Sequence, residues 1–140
     1  MRPIKFRGWN EKNKRWLYGT YLVNRGFPYI VEDGIQSPFA EPADFMVGEE
    51  TVGQFTGLKD KNDTEIYEGD IIDYKAHKGY LLKSFIAEVV FENSAFGYRR
   101  KNSTLGGIEM FEPFCVHDCL QEDFLANVEV LGNVFGRENL

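Results

Sequence analysis

The chain has 140 residues, 43% of them apolar and 27% charged, a globular rather than disordered composition long enough for one unit with an ordinary core. Its 16 basic and 22 acidic residues leave a net charge of −6, which opposes long-range attraction to phosphate backbones. No apolar run is long enough for a transmembrane helix, and Met1 to Arg7 lacks the apolar segment of a signal peptide, so the expected location is the cytoplasm with Cys115 and Cys119 reduced.

Aromatic residues make up 15% of the chain, and they favour strands. Ile4 and Phe6 alternate with polar neighbours, which is a strand period. Polar residues 10–15 follow, and then Trp16 to Val23, strongly β in propensity. Strand, polar turn and strand together predict an N-terminal hairpin. Asn24-Arg25-Gly26 reads as a turn and Phe27 to Val31 as a short strand. Pro38, Pro42 and Gly48 break the pattern of residues 32–50, which read as an irregular connection.

Further strands are expected over residues 51–57 and 65–67, separated by the turn cluster Asp60 to Asp63. Glu68-Gly69-Asp70 is a second tight turn, where Gly can take positive φ. Ile71 to Ala76 forms a strand with Ile71, Asp73 and Lys75 on one face and Ile72, Tyr74 and Ala76 on the other. Tyr80 to Phe91, Ala95 to Lys101 and Ile108 to Phe111 continue the β pattern. Asp118 can cap one short helix over Cys119 to Ala126, and Val128 to Phe135 closes the chain as a strand.

Three blocks carry a resemblance. Ile4-Lys5-Phe6-Arg7-Gly8-Trp9 resembles the opening of the YopX-like proteins of phages and prophages. Gln54-Phe55-Thr56-Gly57-Leu58-Lys59-Asp60-Lys61-Asn62, running on through Glu65 to Ile72, is similar to their central signature. Val128 to Phe135 is similar to their C-terminal strand motif. The blocks keep family order and span nearly the whole chain, while residues 24–50 and 77–127 match loosely. Asp63 stands where the family usually has Gly. The resemblance implies a phage or prophage setting and an SH3-like small barrel built from the C-terminal half. It brings no catalytic residues.

Each tempting site has a plain structural reading. Cys115, His117 and Cys119 have zinc-like spacing, but a structural zinc takes four ligands and the only other histidine is His77. An EF-hand counted from Asp60 would need Gly at position 65 and Glu at position 71, where Glu65 and Ile71 stand. Glu68 and Asp70 could pair for acid–base work, although acids at a turn are usually solvated. Charge and aromatics mix in Trp9, Lys14, Arg15, Trp16 and Tyr18, and again in Phe96, Tyr98, Arg99, Arg100 and Lys101; such mixing can stack on and neutralise single-stranded nucleic acid, but an ordinary strand with one packed and one solvated face is the favoured reading.

The expected fold is thus mainly β, a single domain over residues 1–140. Residues 1–50 form an N-terminal hairpin and irregular arm, 51–140 form the SH3-like barrel, and one short helix is included. The expected function is that of a non-enzymatic phage or prophage accessory protein, a protein-interaction module without metal or cofactor. The alternative is a small-barrel nucleic-acid binder, with Lys14, Arg15, Arg99, Arg100 and Lys101 gathered on one face. The candidate surface is Trp9, Trp16, Tyr18, Phe96, Tyr98, Arg99, Arg100 and Lys101. The partner is a host or phage macromolecule that the sequence does not name. No membrane is expected, and self-association through strand edges stays open.

Overall fold

A computed structural model describes residues 3–34, 40–75, 84–101, 111–114 and 124–136. Within them the alternating stretches form antiparallel strands. These are β1 (Phe6–Asn10), β2 (Arg15–Asn24), β3 (Phe27–Val31), β4 (Gly53–Lys59), β5 (Glu65–Tyr67), β6 (Asp70–Tyr74), β7 (Phe85–Glu92), β8 (Ala95–Arg100), β9 (Phe111–Pro113) and β10 (Val128–Asn133). They make two five-stranded sheets, ordered β3-β2-β1-β4-β5 and β10-β6-β7-β8-β9. Among the described residues β9 and β10 do not pair, so the second sheet is open and is not closed into a barrel.

Turn chemistry explains two of the hairpins. Arg25 and Gly26 join β2 to β3 with φ of 53° and 83°, and Asn93 and Ser94 join β7 to β8 with φ of 49° and 63°. Left-handed pairs of this kind match the twist of the strands they connect. Asp63 also has positive φ, 64°. Asp is among the residues that tolerate this region.

The first hairpin is not a separate extension. β1 pairs with β4 through Phe6↔Gln54 and Arg7↔Gly53, so the N-terminal strands and the β4–β5 hairpin share one sheet. Residues 40–51 are equally committed to it. The buried Asn10 amide donates to the carbonyls of Ala43 (3.0 Å) and Met46 (2.8 Å). Val47 fills the space above Gly8, where a Cβ would lie 2.7 Å from it. Ile30 N–H donates to Phe45 O and Val47 N–H to Pro28 O, which covers the β3 edge. This connection holds two 3-10 turns, Pro42–Asp44 and Glu49–Thr51, and follows no periodicity a sequence reading could detect. The expected helix falls largely outside the described residues, although Phe124 and Leu125 are helical.

Two cores result. Leu17, Ile30 and Val47 form the smaller one, with Phe6, Tyr21 and Val52 against it. The larger gathers Ile66, Ile72, Tyr74, Ala87, Val89, Phe96, Tyr98, Phe114 and Val128. Ile66 comes from β5, so the first sheet reaches into the core of the second. The alternation read along Ile71 to Ala76 holds where it is described, with Ile72 and Tyr74 buried and Ile71 and Asp73 partly exposed.

Three side chains fasten the sheets together. The buried Arg7 of β1 meets the buried Asp70 of β6, Nη1 to Oδ1, at 2.8 Å. Asp60, at the tip of the β4–β5 hairpin, accepts Asn62 N–H and Thr64 N–H on Oδ1, and Val130 N–H of β10 on Oδ2. Lys61 N–H adds a bond to Val128 O at 2.9 Å. Asp60→Ala leaves those three donors without their acceptor, so it is expected to destabilise the protein by roughly 2–4 kcal/mol in urea unfolding. Asp60→Asn, which keeps one acceptor oxygen, is expected to lose less; equal losses would contradict this role.

Candidate interaction surface

Four of the eight predicted surface residues are interior. Trp9 is 8% exposed, Trp16 1%, Phe96 9% and Tyr98 6%. Trp9 and Trp16 meet edge to face at 5.6 Å, and Trp16 also faces Phe135 from beyond β10. Phe96 and Tyr98 belong to the larger core. Tyr18 is half-buried against Tyr67, ring centroids 5.5 Å apart. The aromatics that sequence reasoning assigned to a docking surface are therefore mostly packing residues. Their mixture with charges arises because Arg7 to Asn10 are buried without a break, so period-two alternation overstates how much of β1 is solvated.

The basic residues stay at the surface, each with a carboxylate partner. Arg99 Nε donates to Glu92 at 2.7 Å. Arg100 Nη2 meets Glu112 at 3.0 Å, with its guanidinium 4.4 Å from the Phe85 ring. Lys101 meets Glu88 at 3.4 Å, Arg15 meets Glu32 at 3.3 Å, and Lys14 pairs with Glu11. Alternation along β8 and beyond sends Arg99 and Lys101 to one face and Arg100 to the other, so the three do not form one strip.

The exposed apolar residues lie elsewhere. The β1–β2 pairing stops at Gly19, so β2 and β3 continue past β1 as a projecting hairpin. Leu22, Val23 and Phe27 near its tip are 39%, 59% and 53% exposed. Periodicity could not mark them, because an exposed apolar strand end looks like a core strand in sequence. A groove of about 340 Å³ lies where the Glu68–Gly69 turn, the end of β7 and residues Val134 and Phe135 meet. A smaller cleft of about 210 Å³, lined by Tyr18, Glu65 and Tyr67, opens over Arg7 and Asp70. Among the described residues no three His, Cys, Asp or Glu side chains are grouped to hold a metal. His77, Cys115, His117 and Cys119 lie outside those residues.

The YopX protein family profile matches residues 5–140. The chain belongs to the YopX family. It is also similar to the crystal structure of protein EF1440 from Enterococcus faecalis, with 24% identity and a TM-score of 0.51 over 96% of this chain and 94% of that one. That likeness is one of fold. No curated protein matches the chain.

In this YopX-family chain the signature blocks meet at the Arg7–Asp70 pair. Arg7 Nη2 donates to Glu68 O at 3.2 Å, and Tyr67 N–H donates to Asp70 Oδ2 at 2.8 Å. The guanidinium lies 4.6 Å from the Trp16 ring and 5.1 Å from the Tyr67 ring. Glu68, the other acid of the turn, uses its carboxylate to accept Gln54 N–H. The two acids are thus engaged separately. Burial pushes Asp70 up to about 6, against the pull of Arg7 and the Tyr67 N–H. Burial also raises Tyr67 and Tyr18.

Because Asp70 lies above its ordinary value of 3.8 when folded, its protonated form is favoured by folding. Its contribution to stability is complete below about pH 4 and is lost as pH rises through about 6. Relative to Asp70→Asn, the native protein is expected to lose up to about 3 kcal/mol of stability between pH 4 and 7, measured by urea unfolding. A difference independent of pH would contradict the shift.

Proposed function

We propose that this YopX-family protein is a non-enzymatic protein-interaction module, a phage or prophage accessory protein acting in the bacterial cytoplasm. The observation that carries the reading is the projecting β2–β3 hairpin with Leu22, Val23 and Phe27 exposed at its end. Apolar side chains on an extended hairpin lose water-exposed area only when a partner covers them. An opened SH3-like barrel is the architectural half of the proposal. It is supported by the path from β4–β5 through the Gly69 turn into β6–β7–β8, and by Ile66 in the larger core. Nucleic-acid binding is less well supported, since it needs free cations on one face and Lys14, Arg15, Arg99, Arg100 and Lys101 each have a carboxylate partner.

The test is affinity capture from bacterial lysate on the full chain, with and without nuclease. Proteins retained after nuclease, and lost when Val23→Lys and Phe27→Lys are combined, are expected. Both positions are exposed, so the double variant is expected to unfold at the native urea concentration. Retention that disappears with nuclease would overturn the proposal.

A further inference from the structure

The groove beside Gly69 contains a short stretch of unsatisfied sheet edge. The pairing of β6 with β7 ends at Ile71↔Glu88, with one further bond from Gly69 N–H to Val89 O. β7 continues to Glu92, paired with β8 alone. Which way its main chain points follows from the ladder. Lys101 N–H donates to Ile86 O, so the even-numbered residues of β7 present N–H and C=O to β8. The odd-numbered ones present theirs to the other side, as the Gly69 bond to Val89 requires. Phe91 is the next odd residue. Its N–H and C=O therefore face the groove, where no described strand reaches them. Phe91 is 51% exposed, and Val134, across the groove, is 42% exposed.

The groove is also acidic. Glu68 lines it, and among the described residues no cation lies within ion-pair distance of its carboxylate. Glu88 and Glu92 line it too, paired with Lys101 and Arg99. A backbone edge, two exposed apolar side chains and an unneutralised carboxylate together specify an occupant.

We infer that this groove docks a short extended segment of a partner protein, rich in alternating basic and apolar residues, which adds to β7 at Phe91. Main-chain bonds to Phe91 set its register, one of its apolar side chains rests on Phe91 and Val134, and a lysine or arginine reaches Glu68. A second copy of this chain is a poor occupant, because at −6 it would bring net negative charge to a glutamate-lined groove. The inference rests on the interaction-module reading and adds a second surface, remote in sequence from the β2–β3 tip.

The test uses the full chain labelled with ¹⁵N and three blocked hexapeptides: alternating Lys and Val, alternating Glu and Val, and the Lys/Val peptide N-methylated along its backbone. The Lys/Val peptide is expected to shift the amide signals of Phe91, Gly69 and Val134 and to slow exchange at Phe91. The other two are expected to bind at least about tenfold more weakly. Glu68→Gln, which keeps an acceptor for Gln54 N–H, is expected to weaken the Lys/Val peptide about tenfold while leaving the remaining spectrum in place. Equal binding of the Lys/Val and Glu/Val peptides, or shifts that avoid Phe91, would overturn the inference. A dimer abolished by Val134→Lys would overturn it as well, assigning the groove to a second copy. If the groove fails while lysate capture still depends on Val23 and Phe27, the docking inference falls and the interaction-module reading stands.

Discussion

Arg7 and Asp70 form an ion pair removed from water between two sheets, and the rest of the molecule is arranged to tolerate it. Burying both charges is costly unless geometry and hydrogen bonding repay the lost hydration. Here the repayment is partial. Glu68 O and Tyr67 N–H engage one side of each group, and the Trp16 and Tyr67 rings flank the guanidinium. Among the described residues Arg7 Nε has no acceptor, and Asp70 Oδ1 has the charge contact without an aligned donor. The same shortfall explains why burial prevails over the neighbouring guanidinium in raising Asp70.

The pair also fixes the turn beside it. Gly69 sits at φ 88° with the Phe135 ring close above, so that a Cβ there would lie 2.8 Å from the ring. Phe135 in turn packs on Trp16, which flanks Arg7. A residue from each signature block thus meets in one place: Arg7 from the first, Asp70 from the second and Phe135 from the third. Asp60 makes a second junction between the central and C-terminal blocks. These motifs act as fasteners between the sheets.

The strands were legible because their apolar residues alternate and their ends carry turn formers. Ile72 and Tyr74 lie inside for the reason the pattern implies. The 40–51 segment was not legible, since it is held by the Asn10 amide, by Val47 over Gly8 and by bonds to an edge strand, none of which leaves a periodic trace. The surface was misread for a related reason. Trp9, Trp16, Phe96 and Tyr98 were placed outside because charges stand beside them in sequence, but those charges pair at the rim while the rings turn inward. Leu22, Val23 and Phe27 were overlooked because only the end of the β1–β2 pairing shows that their hairpin outruns the sheet.

The central claim is that one ion pair couples the two sheets, and a double-mutant cycle tests it most directly. Arg7→Met and Asp70→Leu would be compared singly and together by urea unfolding. Each single change leaves a buried charge without its partner and is expected to cost about 3–5 kcal/mol, with the double variant losing far less than their sum. Losses that simply add would show that the two residues stabilise the protein independently, and would contradict the account.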